Sequence, residues 1–150
     1  MSDHRKVNFS VEQDEDGYPP VTVESMWVIP HAEGYEIDNI PFYARSIACG
    51  DIVAAERDDD GLLCFTHLIK PNGHSTVRLL FAHEEDVASV RERLREMGCT
   101  SEISDVSRLV AVDIPPTVAY DGVRQFFDEG ERDGRFEYEE ACLGWRASPG

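Results

Sequence analysis

Between Ser75 and Cys142 the apolar residues change their spacing in a definite succession, and no other feature of the chain restricts its fold so tightly. Val77, Leu79 and Phe81 fall at every second residue, the period of a strand with one buried face. Val87, Val90, Leu94 and Met97 then recur at three- and four-residue spacing, which predicts a helix over 84–97. Glu84, Glu85 and Asp86 suit its positive N-terminal end, Arg91, Arg93 and Arg95 its later turns, and Gly98 supplies a stop. Two strands follow over 99–104 and 108–114, with Val110, Val112 and Ile114 on the inner face and Pro115-Pro116 as terminator. A second helix over 118–132 carries Tyr120, Val123, Phe126 and Phe127, and in a last strand over 135–142 Phe136 and Tyr138 alternate with Glu137 and Glu139. The order β-α-β-β-α-β predicts a ferredoxin-like module: a four-stranded antiparallel sheet with both helices on one face.

The first half carries strands and turns without helical spacing. Val7, Phe9 and Val11 alternate with polar residues, and Asp14 to Pro20 breaks the pattern. A second strand runs through Ser25–Ile29 and is expected to stop at Pro30. Tyr35, Ile37 and Asn39 form a short third strand, and Ile40-Pro41-Phe42 begins an irregular connection. Ile52–Glu56 and Leu62–Ile69 are joined by Asp58-Asp59-Asp60-Gly61, where an Asp-Gly step between two apolar runs signals a hairpin. So many short strands in so little chain predict a small antiparallel sheet or barrel. The fold class is therefore α+β: a β-rich module over 1–72, a ferredoxin-like module over 73–144 and a tail over 145–150.

Thirty acidic residues against 14 basic leave a net charge of −16, spread as −9 over 1–74 and −7 over 75–150. Such a field repels nucleic acid and anionic membrane and attracts a basic protein partner. The third strand of the second module, Leu109 to Asp113, also lacks the aromatics on which RNA-binding modules of this topology stack bases. No apolar run approaches the ~20 residues of a membrane span, and no signal-peptide stretch follows the N-terminus. Cys49, Cys64, Cys99 and Cys142 are scattered, with no CxxC pair, and read as reduced, mostly buried thiols, Cys64 among them. Together these features point to a cytoplasmic protein.

Motifs for chemistry are sparse. Glu12 to Gly17 has the opening of a calcium loop, but its twelfth position is Val23, where a bidentate acid is required. Cys64 and His67 have the spacing of a zinc half-site, yet three residues apart on a strand they point to opposite faces. No P-loop, GxGxxG or GxSxG is present. Neither a metal nor a cofactor is expected.

His74 and Ser75 follow the Pro71-Asn72-Gly73 turn where the modules meet, and adjacent strand residues cannot serve each other as nucleophile and base. Turn chemistry, with the two side chains bonding free backbone groups, is the favoured account of both. Arg78 shares His74's face in a regular strand, and an imidazole beside a guanidinium makes an anion or carboxylate site; pairing of Arg78 with a neighbouring acid is the structural alternative. Two functions compete. One is a non-catalytic acidic protein of immunity or antitoxin type, or a DNA mimic, capping a basic partner with Asp58, Asp59 and Asp60 at its interface. The other is a small-molecule sensor or small enzyme using the inter-module cleft, with His74, Ser75 and Arg78 at its rim.

The segments GYPPV (17–21), ESMW (24–27), DNIPFY (38–43), GDIV (50–53), GHSTVR (73–78) and FDEGERDGRFEYEEACLG (127–144) resemble a bacterial family catalogued as domain of unknown function 4265. The resemblance spans about Val7 to Gly144 and implies a bacterial, cytoplasmic protein; it brings no activity and no catalytic residues.

Overall fold

In Val23–His31 (β2) the side chains of Glu24, Met26 and Val28 are buried while Val23, Ser25 and Trp27 face solvent, so the strand's period of two sets which residues meet inside. The computed structural model describes residues 4–104 and 108–144; the expected tail lies outside the described residues. Arg5–Ser10 (β1) pairs antiparallel with β2, and β2 with Gly34–Ile37 (β3). Ile52–Arg57 (β4) pairs with β3 and with Leu63–Lys70 (β5). β5 returns to β1 in parallel through Val7↔Leu63 and Asn8↔Cys64, which closes a barrel. Val7, Phe9, Met26, Val28, Ile37, Val53 and Leu63 fill it. Contrary to expectation, β2 does not stop at Pro30. Beyond Val28 the strand has lost β1 as a neighbour, so a residue without an N–H is tolerated there opposite Tyr35.

The second half forms a four-stranded antiparallel sheet in the order β7-β8-β6-β9, from Ser75–Phe81 (β6), Thr100–Ile103 (β7), Leu109–Ile114 (β8) and Phe136–Cys142 (β9). Helix α1 spans Val87–Glu96 and α2 spans Tyr120–Arg132. The residues Glu84–Asp86, expected as the first turn of α1, form a tighter 3-10 turn, a common helix entry where no side chain caps the free amides. Val87, Val90 and Leu94 of α1 join Val123 and Phe127 of α2 in one cluster with Val77, Leu79, Val110, Val112 and Ile114, so both helices cover the same face of the sheet. Each such fully buried aliphatic side chain contributes about 1.5–3 kcal/mol.

The opposite face is covered too. Thr76 and Arg78 of β6 and Ala111 and Asp113 of β8 are buried, although they point away from the helices. The β3–β4 connection lies over them: Thr76 Oγ1 donates to Ile47 O at 3.4 Å, Arg78 Nη2 donates to Ala44 O, and the Ser46 amide donates to Ala141 O at 3.1 Å. A strand covered on both sides is buried along its length, which is why every residue of β8 is buried.

A buried arginine at the barrel–sheet junction

Glu24 lies in phase with Met26 and Val28, so its carboxylate is carried into the interior. There it accepts three backbone hydrogen bonds from the β3–β4 connection: Phe42 N–H at 2.7 Å, Tyr43 N–H at 3.0 Å and Ala44 N–H at 2.8 Å. An irregular segment has no ladder to satisfy its amides, and one carboxylate satisfies three in succession. The segment is thereby fixed with the Ala44 carbonyl toward β6, where it accepts from Arg78.

Arg78 is 6% exposed. Beyond the bond to Ala44 O, its Nη1 lies 3.7 Å from Glu139 Oε1, its partner across the β6–β9 ladder, a distance beyond hydrogen bonding. Its Nε has no hydrogen-bond partner among the described residues, and neither has Glu139 Oε1. Arg45 Nη2 comes within 3.2 Å of the same Glu139 oxygen from the exposed side. Burial pulls the Arg78 guanidinium below its ordinary value, while Glu139 and then Glu24 pull it back up. The charge is thus buried with its donors incompletely used, a costly arrangement unless something else accepts from them.

Arg78 also lines a cleft of about 510 Å³. The β1–β2 loop supplies one part of its lining, with Glu12, Asp14 and Tyr18, and the β3–β4 connection supplies Tyr43 and Arg45. The loop is braced from within: Asp14 Oδ1 accepts from the amides of Asp16 and Tyr18, and Gln13 Nε2 donates to Pro19 O at 3.0 Å. Tyr18 meets Tyr43 edge to face at 6.4 Å, linking the two segments.

The structure gives the residues singled out in the sequence separate partners. His74 Nδ1 lies 3.0 Å from both carboxylate oxygens of Asp113. Asp51, 2% exposed, accepts from Ala48 N–H at 3.0 Å and Asn72 N–H at 2.9 Å. Burial pushes both aspartates above the usual carboxylate range; for Asp51 its two amide donors and then His74 pull the other way, and for Asp113 His74 does. Ser75 Oγ accepts from Gly144 N–H at 3.0 Å, which ties the end of the chain's last described turn to the junction. Burial, followed by the Asp113 charge, pushes the nearby Cys49 thiol to about 11, so it is protonated near neutrality and is no ready nucleophile. At the β4–β5 hairpin Asp58 Oδ1 accepts from Asp60 and Leu62, which spends that oxygen on the turn, and Asp59 and Asp60 are exposed. Cys64, expected to be buried, is only half-buried and beside Asp58, because it sits next to this exposed tip. His67 is exposed.

Arg45, Tyr43, Tyr18 and Glu24 were not singled out as site residues. Glu24 carried a usable signal, an acid in phase with two apolar residues of a strand. The others sit in proline-interrupted segments whose placement no periodicity announces. Among the described residues no three His, Cys, Asp or Glu side chains form a group able to hold a metal ion, and no helix is long and apolar enough to cross a membrane.

Comparison with known proteins adds kinship and a fold. The family described as "Domain of unknown function (DUF4265)" matches residues 24–138. A hypothetical protein from Neisseria gonorrhoeae, known from its crystal structure, superposes with a TM-score of 0.76 at 25% identity, over 96% of each chain. Among curated proteins none matches.

Proposed function

Taking as premise that the chain belongs to the DUF4265 family, we propose that it is a binding protein whose cleft at the barrel–sheet junction takes a small ligand through a carboxylate. The observation that carries this reading is Arg78: a buried guanidinium lining an open cleft, whose hydrogen bonding among the described residues is limited to Ala44 O. A carboxylate offers two acceptor oxygens to a guanidinium edge and adds charge-assisted hydrogen bonds that Glu139, at 3.7 Å, does not make. Anion selection by Arg78 also makes sense of the negative surface, which favours low nonspecific binding of other anions and leaves the local cationic pair Arg45 and Arg78 as the attractive point. We read the second half as a ferredoxin-like module, on the strength of its β-α-β-β-α-β order and its four-stranded arrangement.

The test is a thermal-shift and calorimetric screen of small mono- and dicarboxylates against the wild type, Arg78→Met and Arg45→Ala. Binding that raises the wild-type melting temperature, is lost in Arg78→Met and weakened in Arg45→Ala supports the reading. Arg45 is exposed, so its variant reports on binding even if Arg78→Met folds poorly. No carboxylate bound at millimolar concentration, or equal binding by all three proteins, refutes it.

The net charge of −16 favours a second reading, an acidic protein of immunity or antitoxin type that caps a basic partner with Asp58, Asp59 and Asp60 at the interface. Affinity capture from the native host, followed by binding at rising ionic strength, tests it. A basic partner whose association slows with salt and with Asn at those three positions supports it; a salt-independent partner counts against it.

A further inference from the structure

Resting on the carboxylate reading of the Arg78 cleft, we infer that the ligand is a zwitterion, a free α-amino acid. The cleft is charged in two parts. Arg78 and Arg45 stand on the β6 and β3–β4 side, and Glu12 and Asp14 come from the β1–β2 loop. A simple carboxylate answers only the arginines and meets two like charges on the loop. A ligand carrying an ammonium beside its carboxylate answers both, because the ammonium donates to the loop acids while the carboxylate accepts from the cleft-facing part of the Arg78 guanidinium and from Arg45. Asp14 is placed for this before any ligand arrives: one of its oxygens is held by the Asp16 and Tyr18 amides, and the loop is linked to the opposite segment through Tyr18 and Tyr43. Tyr18, Tyr43 and Pro19 supply apolar surface for a side chain. The volume of about 510 Å³ falls in the range of small-molecule clefts and admits an amino acid.

The experiment screens the common L-amino acids singly by thermal shift, then compares the tightest one with its N-acetyl derivative, which lacks the ammonium, and its amide, which lacks the carboxylate. The expected result is that the free amino acid binds about tenfold or more tighter than either derivative, the loss of one charge-assisted contact. Glu12→Gln is expected to weaken the free amino acid while leaving the N-acetyl form unchanged. N-acetyl forms that bind as tightly as the parents overturn the zwitterion and leave the carboxylate reading standing. Amides that bind as tightly as the parents overturn both, and an absence of amino-acid binding while a simple carboxylate binds overturns the zwitterion alone.

Discussion

Replacing Glu24 with glutamine changes one atom and should cost far more than a surface substitution. The carboxylate holds Tyr43 and Ala44 amides on one oxygen and the Phe42 amide on the other. A glutamine can keep its carbonyl oxygen on the first two, but its NH2 then faces the Phe42 N–H, donor against donor. Two bonds lose their charge assistance, at about 1 kcal/mol each, and one partly buried amide loses its acceptor, at about 1–3 kcal/mol, for a total of ~3–5 kcal/mol. That is a large part of a typical domain's ~5–15 kcal/mol. Urea unfolding followed by circular dichroism measures it, with Asp59→Asn at the exposed hairpin as a control expected within about 0.5 kcal/mol of wild type. Amide exchange at Phe42, Tyr43 and Ala44 should accelerate in the same variant. A loss below about 1 kcal/mol would refute the idea that this one carboxylate anchors the β3–β4 connection.

Gly130 and Gly122 both lie in α2, yet alanine should act on them with opposite sign. A Cβ at Gly122 meets open space and should stabilise by about 0.5–1 kcal/mol, whereas one at Gly130 runs into the Phe136 ring and should destabilise by about 1–3 kcal/mol, both read by thermal unfolding. Leu94, fully buried between α1 and the sheet, should cost about 2–5 kcal/mol as alanine, measured in urea. Burial raises the Asp113 carboxyl from its ordinary 3.8, so the folded chain holds a proton where the unfolded chain has released it. Its contribution to stability is therefore full below that value and is lost as pH rises through the folded one. Asp113→Asn should make the fall in melting temperature on raising the pH above 3.8 shallower, with Asp51 beside it keeping its share; an unchanged slope would count against burial as the cause.

Much of the secondary structure was legible because the spacing of Val77, Leu79 and Phe81, and then of Val87, Val90 and Leu94, reports directly on strand and helix faces. What periodicity could not report is what lies on the second face. Thr76 and Arg78 look like solvent-side residues in sequence, and they are buried because an irregular segment some thirty residues earlier in the chain folds over them. The same long-range contact separates His74 from Arg78 functionally: one is given to Asp113, the other to Ala44 and the cleft. The cleft was invisible for a related reason. Its lining comes from proline-bearing loops, the end of β1 and β6, brought together only by tertiary packing. Barrel closure likewise depends on the first and fifth strands meeting, which no local pattern encodes.

That closure is a clasp with very few teeth. β1 is zipped to β2 along all of Arg5 to Ser10 but meets β5 through only Val7↔Leu63 and Asn8↔Cys64. Partial unfolding that unclasps β1 from β5 leaves β1 paired with β2. The opened form is a meander with two raw edges, Arg5–Ser10 at one side and Leu63–Lys70 at the other. Each edge matches what the opposite edge of another copy has just lost, so crowding a half-opened population favours exchange of strands between molecules over tangled precipitation.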